Sequence, residues 1–69
     1  MYRGKPINLI KEMAARQVEI EDIAKLLGIH RNSAANKVNG RTSFNIEEGF
    51  KIHDAFFPDI PMDFLFKRF

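Results

Sequence analysis

Apolar residues along this chain recur three and four apart and almost never alternate with polar ones. Helical geometry puts i, i+3, i+4 and i+7 on one face, whereas a half-buried strand alternates, so the pattern predicts an all-α chain. Pro6 suits the first turn of a helix, where its missing N–H would have had no helical partner. Behind it Leu9, Ile10, Met13 and Ala14 form the stripe of a first helix running to about Gln17. Ile20, Ile23, Ala24 and Leu27 repeat the full pattern, with Gly28 as a left-handed stop. Glu21 and Asp22 fall in the first turn of that second helix, where carboxylates suit the positive end of the helix dipole.

Only Gly28, Ile29 and His30 precede a third helix, Arg31 to Asn39, which halts at Gly40. Its inward positions are Ala34 and Val38, four apart, with Ile29 plugging the turn. Arg31, Asn32, Ser33, Asn36 and Lys37 make up a polar remainder. Asn45 and Glu48 have the spacing of a capping-box variant at the start of a fourth helix, which continues through Phe50, Ile52, His53 and Phe56 until Pro58. After the turn at Asp59, Ile60 and Pro61, Met62 to Phe66 makes a last short helical turn. Residues 1–69 thus read as a single domain of five short helices without repeats or linkers.

A chain of 69 residues excludes two-domain enzymes, barrels and doubly wound sheets. Its 45% hydrophobic and 29% charged residues are those of a globule rather than a disordered chain. With no cysteine there are neither disulfides nor thiolate metal sites, and His30 and His53 stand outside metal-ligand spacing, so no metal or other cofactor is expected. No phosphate-cradling glycine loop or nucleophile–base pair is recognisable, and Glu47 and Glu48 suit capping better than acid–base work; the chain reads as no enzyme. No apolar run approaches the ~20 residues of a membrane span, and Met1 to Pro6 lead into no leader-like stretch, which points to the cytoplasm.

The net charge is only +2, yet its distribution is uneven. Between Asp22 and Glu47 there is no acid, while Lys25, Arg31, Lys37 and Arg41 lie inside that window. An acid-free basic centre flanked by acids suits a phosphate-facing surface. It coincides with the helix–tight turn–helix of residues 20–40, the spacing of a helix-turn-helix, whose second helix enters the major groove of DNA. The plainer alternative is a helical hairpin with a solvated face. Arg grips guanine O6 and N7 with two hydrogen bonds and Asn does the same for adenine N6 and N7, so a face holding Arg31, Asn32, Ser33 and Asn36 has an evident use.

The run DIAKLLGIHRNSAANKVNG followed by RTSFNIEEGFKIHDAFFPDIPMDFLF resembles the lambda-repressor-like, Cro/C1-type family, in the form common in phages and prophages of Gram-positive bacteria, from about Leu9 to Phe66. The resemblance implies a compact five-helix bundle that binds double-stranded operator DNA, usually as a dimer. It implies base contacts from Arg31, Asn32, Ser33 and Asn36, and backbone contacts around Asn39, Arg41 and Thr42. His30 and Lys37 join the backbone set by position and polarity. The chain departs from the family where Glu19 and Ile20 open the second helix and His30 the third, instead of Gln, Ser or Thr. Phe64 and Phe66 lie ~200° apart around a helix, so with Phe69 they are expected to leave aromatic surface for a weak homodimer, completed on DNA. The rival functions are a helix-turn-helix scaffold that docks another protein as an anti-repressor or adaptor, which Glu19 and Ile20 favour, and the antitoxin of a toxin–antitoxin pair.

Overall fold

The computed structural model describes residues 4–69, and these form five helices and no strand: α1 (Ile7–Ala15), α2 (Ile20–Leu27), α3 (Arg31–Val38), α4 (Ile46–Phe56) and α5 (Met62–Leu65). The apolar stripes converge on one core. Leu9, Ile23, Ala34, Ile52, Phe57 and Leu65 are completely buried, with Met13, Ala24, Val38 and Ile60 nearly so. Phe57 is the largest fully buried side chain, and it lies one residue beyond the end of α4. Among the described residues no helix is long and apolar enough to cross a membrane.

Helix ends are set by local hydrogen bonds rather than by where the apolar stripe stops. The first helix ends at Ala15 and not at about Gln17, because Gln17 turns left-handed with φ 58°. The Val18 N–H then donates to Met13 O at 2.8 Å and the Gln17 N–H to Ala14 O at 3.4 Å, which is the Schellman closure, completed by Val18 packing on the core. A left-handed Gln gives no signal in the sequence, since glycine is the residue that usually occupies this position. At α4 the capping box forms as expected: Glu48 N–H donates to Asn45 Oδ1 at 2.8 Å and Asn45 N–H to Glu48 Oε1 at 2.9 Å.

Two ties hold the helices in register. Arg16, after α1, donates to both Asp59 carboxylate oxygens at 2.8 and 2.7 Å and to Phe56 O at 3.0 Å, while its guanidinium lies 5.3 Å from the Phe57 ring centroid. These hydrogen bonds hold the Asp59 carboxyl below the ordinary carboxylate range and raise Arg16. On the other side, Lys5 and Phe69 exchange backbone hydrogen bonds at 3.1 and 3.0 Å. Beside them Arg68 Nη2 donates to Gly4 O at 3.0 Å and Gly40 O at 2.9 Å. Gly40, at φ 84°, lies so close that a Cβ there would stand 2.5 Å from Gly4 O.

Two stability outcomes follow from this geometry, both readable by urea denaturation. Gln17→Gly relieves the left-handed backbone and is expected to stabilise the fold by about 0.5–1 kcal/mol, whereas Gly40→Ala adds strain and a backbone clash and costs more than about 1 kcal/mol. For Asp59, the folded carboxyl titrates below the unfolded one. Its contribution is therefore full above roughly pH 4 and is lost as pH falls through the folded value. The midpoint difference between wild type and Asp59→Asn should be constant near neutrality and shrink in acid; a difference that grows on acidification would contradict the pairing.

Candidate nucleic-acid interface

Among the described residues the most extensive helix–helix packing is between α2 and α3. Ala24 and Ala34 are both buried, and such small side chains let helices approach closely. Gly28 ends α2 left-handed at φ 68°, its N–H donating to Ala24 O, and Ile29 packs on the core under the turn. His30 then caps α3: its Nδ1 accepts from Asn32 N–H at 3.1 Å. An accepting Nδ1 carries no proton, which leaves the proton of the neutral ring on Nε2.

Ala34 and Val38 alone seat α3, at 0% and 4% exposure. At ~100° per residue, Asn36 lies opposite that side with Asn32 and Ser33 flanking it. These three and Arg31 in the first turn are all exposed, and among the described residues none of the four side chains forms a hydrogen bond or ion pair. The expected base-contact residues are therefore all accessible, Asn32, Ser33 and Asn36 on the side opposite the core and Arg31 at the head of the helix, beside the seated face.

The segment leaving α3 is held tightly. Arg41 N–H donates to Asn36 O at 2.9 Å and Gly40 N–H to Lys37 O at 3.3 Å, a second Schellman closure, here with the expected glycine at the left-handed position. Thr42 N–H also reaches Asn36 O, at 3.3 Å. Asn39, Arg41 and Thr42 stay exposed on this locked backbone, as does His30 at the other end of the helix. Lys37 behaves differently from the expectation. Its Nζ donates to Ser43 O at 3.1 Å and pairs with Glu48 Oε1 at 3.2 Å, with only 20% of its side chain exposed. It binds the loop to the start of α4 instead of offering its charge outward.

Arg68, which sequence reasoning did not single out, supports this loop through Gly40 O from 28 residues away. No local pattern signals such a contact. The two positions that departed from the family also have local roles: Ile20 packs on the core, and Glu19 N–H donates to Asp22 Oδ2 at 2.9 Å at the head of α2. The three C-terminal phenylalanines differ among themselves. Phe66 is half-buried and packs edge-on against Phe44 at 5.6 Å, while Phe64 and Phe69 are about half exposed. Among the described residues no group of three His, Cys, Asp or Glu side chains could hold a metal ion. Comparison of the chain with family models, curated proteins and solved structures yields no match.

The cap on α3 is directly testable. His30→Ala should destabilise the protein by about 0.5–2 kcal/mol and speed hydrogen exchange at the Asn32 amide, whereas His30→Asn restores both. Equal protection at Asn32 in all three proteins would show that the cap is idle.

Proposed function

We propose that α2, the turn and α3 form a helix-turn-helix, and that the protein is a sequence-specific DNA-binding transcriptional regulator, Cro-like or a compact repressor of the lambda-repressor-like type. The observation that carries the reading is the α3 surface. Its four polar side chains are exposed and unengaged, on a helix whose two ends are fixed by His30 and Gly40. Side chains held on a rigid backbone with free hydrogen-bonding groups are what base-edge readout requires.

In this reading Arg31 and the Asn pair meet base edges in the major groove, and Arg41 with the locked loop meets the phosphate backbone. The roles differ because base contacts specify and phosphate contacts position. His30 Nε2–H is a further donor at the head of α3, where a phosphate also benefits from the positive end of the helix dipole. Lys37 acts indirectly, by holding the loop. The positions that favour a protein-docking scaffold, Glu19 and Ile20, are accounted for by capping and packing, which weakens that rival.

Titration of fluorescent duplexes spanning the DNA beside its own gene tests this. At ~50 mM salt, where phosphate contacts are strongest, wild type should bind; absence of any binding there refutes the reading. Arg31→Ala and Asn36→Ala should each cost about 1–3 kcal/mol and relax preference at one base position. Arg41→Ala should weaken all sequences alike and lower the salt slope by about one, while Lys37→Met should leave that slope unchanged.

A further inference from the structure

Three stretches of chain far apart in sequence meet beside the loop that follows α3. Gly4, Gly40 and the Arg68–Phe69 segment approach so closely that neither glycine could carry a side chain. A Cβ on Gly4 would collide with Phe69 O, and one on Gly40 would stand 2.5 Å from Gly4 O and 3.1 Å from Lys5 Cα. Both glycines are also left-handed, at φ 77° and 84°. One nitrogen joins the three segments: Arg68 Nη2 donates to Gly4 O at 3.0 Å and to Gly40 O at 2.9 Å. The Lys5–Phe69 backbone pair, at 3.1 and 3.0 Å, fixes Arg68 from the residue beside it.

We infer that Arg68 is a positioning residue for DNA binding, which acts through Arg41 and makes no contact with DNA itself. Gly40 O and Arg41 N–H belong to one peptide unit, and that unit is planar. It is held from both edges. Arg68 binds its oxygen at 2.9 Å, and Asn36 O accepts its N–H at 2.9 Å. The clamped peptide thus fixes the direction in which Arg41 leaves the end of α3, relative to the backbone of Asn36 on the readout side. A hydrogen bond from a guanidinium is about twice as strong as a neutral one, so Arg68 is the firmer of the two holds.

The role in affinity rests on the DNA-binding reading; the clamp itself is measurable without DNA. Arg68 is half-buried with Nη2 directed at two carbonyls, whereas Arg31 and Arg41 are exposed. Its removal therefore subtracts no phosphate contact from the complex. It releases one edge of the Gly40–Arg41 peptide, and the cost of ordering that peptide then falls on DNA binding. Affinity drops for every sequence alike, while the number of phosphates neutralised, and with it the salt slope, stays the same.

Amide hydrogen exchange and duplex titration of wild type, Arg68→Met and Arg68→Lys test this, with urea denaturation confirming that each is folded. Without DNA, Arg68→Met should speed exchange at the Arg41 and Thr42 amides by about threefold or more. Arg68→Lys keeps one donor nitrogen on a side chain a bond shorter and should lie between the two, so the test survives if Arg68→Met unfolds. With duplex, Arg68→Met should weaken all sequences by about tenfold and leave the salt slope unchanged, where Arg41→Ala lowers it by about one. In an Arg41→Ala background the same substitution should cost less than about threefold, because the residue it positions is gone. Unchanged exchange at Arg41 and Thr42 overturns the inference, as do Arg68 and Arg41 losses that multiply in full. Wild type that binds no duplex refutes the underlying reading and the inference with it, an outcome seen before any variant is made.

Discussion

The arrangement of this molecule turns on how little apolar surface α3 has. Ala34 and Val38 are its only buried side chains, and at roughly 25 cal/mol per Å² two such small groups stabilise the helix weakly. A helix of eight residues is also too short to persist by propensity alone. It is held instead at its ends, by the His30 cap and the Gly40 closure, and by close packing on α2. The same scarcity leaves the side of Asn32, Ser33 and Asn36 unused by the fold. A helix with a broad apolar stripe would have turned part of that polar surface toward the core.

End-fixing spreads the constraint outward. Glu48 Oε1 accepts from Asn45 N–H and also pairs with Lys37, so the cap of α4 and the last turn of α3 share one carboxylate oxygen. Arg68 adds the C-terminal segment by donating to Gly40 O, and Gly4 O accepts from the same nitrogen. The loop carrying Arg41 is thereby braced from α3, from α4 and from both ends of the described chain. Charged groups with small exposure do structural work here, while Arg31 and Arg41 stay at the surface. Of the cations in the acid-free window, Lys37 is the one drawn inward, where it pairs with Glu48.

What could be read from the sequence was local. The α4 capping box needs only Asn45 and Glu48 three apart, and the α2–α3 turn needs only Gly28 before a small inward face; both formed as expected. The exposure of Asn32, Ser33 and Asn36 also followed from periodicity, since Ala34 and Val38 settle which side faces in, whereas Arg31 is exposed because it opens the helix. What escaped depended on partners distant in sequence or on backbone that leaves no compositional mark. The left-handed Gln17 shortens α1, the inward turn of Lys37 requires the return of the loop, and Arg68 meets Gly40 only after the chain closes. Among the aromatics, residue type could not say that Phe57 would fill the core while Phe50 stood half exposed.

Duplex binding through α3 can be mapped by amide chemical shifts of the protein while a ~20-base-pair duplex is added at low salt, where phosphate contacts are strongest. Shifts confined to residues 30–42, largest at Arg31, Asn36 and Arg41, are the predicted result. Shifts centred on α4 and α5, or none at all, would contradict it.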